Sequence, residues 1–227
     1  MSVPLVLTAH GTRNPRGVEL VHALADAVRG RGIDTTVAFV DVLGPTPAEV
    51  LRSIPGPAVL VPAFLASGYH VRTDVPAGIA ESGHTDVTVS PALGPDPVLA
   101  QVLVSRLAAA GHRPGDAVVL VAAGSSDALA LADVARAADL LADELGDALP
   151  APVEVGYVAT ASPKVDEVVG VLRGRGHERV ALAPYLLAPG LFHDKLASVG
   201  ADVVAEPLGL DERVVELVLT RYRAALG

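Results

Sequence analysis

The feature that most constrains this chain is an internal repeat. AVVLVAAGSSD (117–127) restates LVLTAHGTRNP, VEVGYVAT (153–160) restates TVAFVDVL, and APYLLAPGLF (183–192) restates VPAFLASGYH. LGLDERVVELVLTRY (208–222) likewise restates LGPDPVLAQVLVSRL (93–107), so four segments recur in the same order. One structural plan is therefore used twice. Within the first copy, apolar runs at 3–9, 35–42, 57–65 and 86–93 alternate with helical patterns at 18–29, 47–53, 75–81 and 97–110. That βαβα punctuation predicts a parallel sheet covered by helices. The expected fold is α/β: two similar Rossmann-like lobes, residues 1–112 and 113–227, joined through GHRPGD (111–116) and facing each other across a cleft. Each is long enough to bury a core of its own.

Composition narrows the chemistry. The 227 residues include no Cys and no Trp. A disulfide framework, a thiolate zinc site, a cysteine-held cluster and a cysteine nucleophile are all excluded. Any metal must be held by His, Asp or Glu. The formal net charge of −9 argues against nucleic acid or an acidic membrane as partner. Apolar runs are short and broken, so no membrane span is expected. MSVPLVLTAHG lacks the basic start of a signal peptide, and a cytoplasmic protein is expected.

Comparing the two copies singles out three residues. His10 ends the first strand, Asp41 the second, and His70 follows the third; their counterparts are Ala123, Ala159 and Phe192. Ligands of such sheets sit beyond the carboxyl ends of the strands, so the three should converge there. Two imidazoles and a carboxylate form an N/O site suited to Fe, Co, Ni or Zn, and they can also take up protons near neutral pH. His22, on a helix, and His84, His112 and His177, in polar turns, read as solvated. His193 lies one place beyond the match to His70 and is a candidate to face the cleft from the second lobe.

AHGTR (9–13), AFVD (38–41) and LASGYHVRTDVP (65–76) together resemble the class II tetrapyrrole chelatases, and most closely the sirohydrochlorin cobalto- and ferrochelatases in their long, two-lobed form. Gly68, His70, Asp74, Val75 and Pro76 carry the G-x-H-x-x-x-D-V-P pattern. The resemblance implies an enzyme that inserts Fe²⁺, Co²⁺ or Ni²⁺ into sirohydrochlorin on the way to siroheme or cobalamin. His10 and His70 would then bind the incoming metal and help accept pyrrole protons. The family usually has Glu where this chain has Asp41. The metal would be a substrate, with no permanently bound cofactor. Arg13, Arg16 and Arg72 lie beside the histidines in sequence and could pair with substrate carboxylates. The turn at Ser125 and Ser126 opens a helix whose free N–H groups would suit an anion. Two lobes in one chain suggest a monomer.

Rival readings fit less well. A histidine phosphatase would need Arg before His10, where Ala9 stands, and HGTRNPRG lacks the G-x-G-x-x-G of a dinucleotide site. A carrier or sensor of metal or tetrapyrrole would need the same histidines, and only turnover separates it from a chelatase.

Overall fold

The computed structural model describes residues 2–227. The first copy runs β1 (Leu5–Ala9), α1 (Pro15–Arg29), β2 (Thr35–Phe39), α2 (Pro47–Arg52), β3 (Ala58–Pro62), α3 (Val75–Ser82), β4 (Val87–Val89) and α4 (Pro97–Ala109). The second runs β5 (Ala117–Ala122), α5 (Ala128–Leu145), β6 (Glu154–Tyr157), α6 (Val165–Gly174), β7 (Val180–Pro184), α7 (Leu191–Asp194), β8 (Val203–Val204) and α8 (Glu212–Leu226). Each copy builds a four-stranded, all-parallel sheet, in the orders β2-β1-β3-β4 and β6-β5-β7-β8. The repeat in sequence is thus a repeat in topology.

The strands read as continuous apolar runs because both faces of a parallel sheet are covered. All residues of β1, β3, β5 and β7 are buried. Helix starts follow the expected chemistry. Asn14, Thr46, Asp96 and Asp127 each accept a backbone N–H of the first turn through their side chains, and Pro15, Pro47 and Pro97 follow three of them. Among the described residues no helix is long and apolar enough to cross a membrane.

The compact units are not the two copies. The first unit ends at Gly94 and is completed by Glu212–Gly227, whereas the second is Pro95–Asp211. A boundary at 112 therefore separates the repeats but cuts through the second unit. The reason is which sheet each last helix covers. α4 packs on α5 and β7, with Arg106 donating to Leu208 O at 2.9 Å and Gln101 to Glu144 at 3.1 Å. α8 packs on β3, β4 and α1; Arg221 donates to Ala92 O and Leu93 O, Tyr222 Oη to Val3 O, and Arg31 pairs with Glu212 and Glu216.

In the first unit the chain leaves β1 toward β2 on one side and returns to β3 on the other. The carboxyl end of β1 is therefore a topological switch point, where loops diverge and leave a crevice. Residues 10–14 and 63–74 leave β1 and β3 at this end.

Candidate active site

His10 is fixed by its backbone. Its carbonyl accepts Asp41 N–H at 3.0 Å, which clamps the loop after β1 to the loop after β2. Gly11 makes the clamp possible. It sits at φ +95°, and a Cβ there would lie 2.1 Å from Asp41 O. No L-residue meets both conditions without strain. The His10 ring is exposed, and its Nδ1 lies 3.0 Å from Gly11 O. A carbonyl can only accept, so Nδ1 carries the proton and Nε2 presents its lone pair.

His70 opens a π-type turn, His70–Asp74, that leads into α3. Val75 N–H donates to His70 O, five residues back. Pro76, which has no N–H, follows the π-type turn, in the first turn of α3. The turn sets Asp74 Oδ2 2.5 Å from His70 Nδ1. The carboxylate holds the proton on Nδ1, fixes the ring plane and makes Nε2 a better donor to a cation. Phe64 stacks on the imidazole (centroids 6.2 Å apart, planes at 19°), and Tyr69 meets its edge at 6.0 Å.

The two imidazoles meet edge to face with centroids 4.3 Å apart. Both have Nδ1 engaged. The pair therefore directs its hydrogen bonds through Nδ1 and leaves the two Nε2 atoms for a ligand at the switch point. Among the described residues no three His, Asp or Glu side chains are grouped as a metal cage. A two-donor site is open: it can hold a cation and leave most coordination positions for water or an acceptor.

The carboxylate of Asp41 does not join them. Its Oδ1 accepts Val42 N–H at 2.7 Å, stabilising a residue at φ +69°. The expected three-group convergence is thus replaced by two imidazoles backed by Asp74. Asp74 belongs to the G-x-H-x-x-x-D-V-P pattern, and its four-residue spacing from His70 is the sequence signal for this contact.

The second copy keeps the frame without the chemistry. Ala159 N–H donates to Ala123 O at 2.9 Å, and Gly124 sits at φ +98° with Thr160 O 1.5 Å from where a Cβ would be. Ala123 and Phe192 are the sequence counterparts of His10 and His70.

Arg13, in the loop after His10, Arg16, in the first turn of α1, and Arg72, in the π-type turn opened by His70, are exposed. Arg13 lines an open cavity of about 550 Å³ with Thr12, Val18, His22, Asp26 and Leu43. Ser125 and Ser126 precede the N-cap of α5, Asp127. Ser125 Oγ accepts Asp127 N–H at 3.0 Å, and the Asp127 carboxylate accepts Leu129 N–H at 3.0 Å. The helix start already carries a negative charge, which repels an anion.

Two of the histidines read as solvated are structural. His84 Nε2 lies 3.1 Å from Ile54 O and its Nδ1 accepts Asp86 N–H. His112 has a buried Nε2 without a hydrogen-bond partner, and burial lowers its pKa, with Asp116 opposing the shift. Their turns are polar in sequence but packed in space. His193 Nε2 lies 3.0 Å from Ala205 O, so that nitrogen is committed within its own unit.

Known proteins share this arrangement of the chain. A sirohydrochlorin ferrochelatase of Priestia megaterium is 23% identical over 205 residues, 85% of this chain and 76% of that protein. A sirohydrochlorin cobaltochelatase of Methanosarcina acetivorans is 29% identical over 120 residues, which is 45% of this chain but 92% of the relative. That relative is therefore about one repeat long. The solved structure described as SirB from Bacillus subtilis with Fe³⁺ has the same fold, with a TM-score of 0.85 at 19% identity over 99% of this chain and 96% of that one. The CbiX family model matches residues 4–110 and again 117–225. Matched by that model once in each repeat, the chain belongs to the CbiX family.

Proposed function

We propose that this protein is a sirohydrochlorin chelatase that inserts Fe²⁺ or Co²⁺ into the free-base tetrapyrrole. The observation that carries the reading is the His10–His70 pair, two imidazoles in contact with both Nδ1 atoms engaged and both Nε2 atoms available. Family membership and the named activities of the relatives support it.

Insertion exchanges one M²⁺ for two pyrrole N–H protons. The metal must shed water, be held against the macrocycle and then be released. Two neutral imidazoles suit those demands: they replace some of the hydration shell and leave the other positions open. As the metal passes to the ring nitrogens, the vacated Nε2 lone pairs are free to take up the departing protons and relay them to water. Asp74 serves this cycle by holding the His70 ring in one tautomer. Asp41 acts on the loop that seats His10. Arg13, Arg16 and Arg72 offer cationic partners for the substrate's carboxylates, which an acidic protein needs locally. The protein acts as a single chain in the cytoplasm, its two repeats standing in for a pair of one-repeat chains.

The test is anaerobic: purified protein with sirohydrochlorin and Fe²⁺, Co²⁺ or Ni²⁺ in turn, following the absorbance change of metallation against the uncatalysed reaction. Acceleration is expected with Fe²⁺ or Co²⁺. Tight tetrapyrrole binding without acceleration by any metal would identify a carrier and overturn the reading.

A further inference from the structure

The sequence holds three Phe and four Tyr and no Trp. Phe39, Tyr157, Tyr185 and Tyr222 are buried in the cores. Phe64 is half-buried against His70. Two aromatics are exposed: Tyr69, at 59%, and Phe192, at 37%. Both follow the third strand of their repeat, Tyr69 seven residues past Pro62 and Phe192, in α7, eight past Pro184. The ring of Tyr69 has its centroid 6.0 Å from that of His70, at 83° to its plane.

An isolated exposed aromatic is ordinary on a protein surface. An exposed ring in van der Waals reach of the metal-handling imidazole, in a chain this poor in aromatics, has a specific use. A tetrapyrrole whose central nitrogens approach His70 Nε2 extends in its own plane past a neighbour only 6.0 Å away. Its conjugated rings then meet Tyr69. Aromatic side chains contact such surfaces favourably, by stacking or edge to face, and they lose little conformational freedom in doing so. Polar residues at that place would leave the apolar part of the macrocycle against water. Tyr69 also neighbours Gly68, whose carbonyl accepts Arg72 N–H at 3.2 Å, so the ring is carried at the start of an ordered turn.

We infer that Tyr69 is a substrate-binding residue: its exposed ring contacts the conjugated face of the tetrapyrrole and seats it over the two imidazoles. The inference rests on the chelatase reading and adds a residue to it. The contact acts on the tetrapyrrole and not on the metal. Loss of the ring therefore weakens tetrapyrrole binding and leaves metal binding alone.

The experiment compares the full-length protein with Tyr69→Phe and Tyr69→Ala. Metal-free sirohydrochlorin binding is titrated anaerobically by absorbance, and Co²⁺ binding is titrated separately without tetrapyrrole. Tyr69→Ala is expected to weaken sirohydrochlorin binding about tenfold, Tyr69→Phe to stay within about twofold of the parent, and Co²⁺ affinity to be unchanged in both. Undiminished sirohydrochlorin binding by Tyr69→Ala, with the parent binding normally, overturns the inference alone. Equal weakening of Co²⁺ binding also overturns it, because the ring would then act by positioning His70. Failure of the parent itself to bind sirohydrochlorin overturns both this inference and the chelatase reading.

Discussion

At the scale of single residues, the chemistry depends on which nitrogen each histidine presents. Gly11 O and the Asp74 carboxylate settle that by occupying Nδ1. Asp74→Asn keeps the shape but exchanges an ionised acceptor for an amide oxygen. It is expected to weaken Co²⁺ binding by about 10- to 100-fold, in the range found when partners behind metal-bound histidines are removed. Sirohydrochlorin binding without metal should be unaffected, and parallel titrations of the two ligands check both points. The meeting of His10 and His70 was legible in the sequence because a polar side chain at the end of a buried strand stands out, and more so when its repeat partner is Ala or Phe. The role of Asp74 was not. An Asp just before Val-Pro has the signature of a helix cap, yet its backbone is helical (φ −72°, ψ −38°) and its side chain makes no cap bond. The π-type turn His70–Asp74 brings it to the imidazole.

At the scale of elements, the site is a meeting of three loops held by backbone contacts. The Asp41 N–H to His10 O bond joins two of them, and Gly11 permits the approach. Gly11→Ala places a Cβ 2.1 Å from Asp41 O in a left-handed backbone, and the chain must open the clamp to relieve it. The expected cost is about 3 kcal/mol of stability, together with loss of insertion because His10 moves; chemical denaturation and the metallation assay measure the two effects. The strands and most helices were legible, since buried parallel strands and capped amphipathic helices carry distinct periods. The anion site expected at Ser125 and Ser126 has an acidic neighbour, Asp127, at the helix start. Ser125 Oγ accepts Asp127 N–H and the Asp127 carboxylate accepts Leu129 N–H, so two N–H groups of this helix start already have partners.

At the scale of the whole molecule, the repeat fixed the topology of both sheets but not the boundary between compact units. The last helices of the two copies, LGPDPVLAQVLVSRL and LGLDERVVELVLTRY, are similar enough that periodicity does not tell which sheet each one covers. Contacts distant in sequence decide it, such as Arg106 to Leu208 O and Tyr222 to Val3 O. The stretch between the repeats also influences acid stability. His112 is held neutral chiefly by burial, with Asp116 opposing and Arg179 adding to the downward shift. Its folded pKa lies below its unfolded value of about 6.5. The unfolded chain therefore takes up the proton first as pH falls below about 6.5, and stability declines from there until the folded form also protonates. The thermal midpoint should fall between about pH 7 and 5, and His112→Phe should flatten that part of the profile. An unchanged slope would assign it to other groups. The central claim is that His10 and His70 work as a pair on the metal. Its most direct test is the anaerobic rate of Co²⁺ insertion into sirohydrochlorin by His10→Ala, His70→Ala and the double variant. Each single change is expected to lower the rate by about 100-fold or more while the protein stays folded, with the double variant little worse than either, as for groups that act as a unit. Single variants that retain rates within about threefold of the parent would contradict the account.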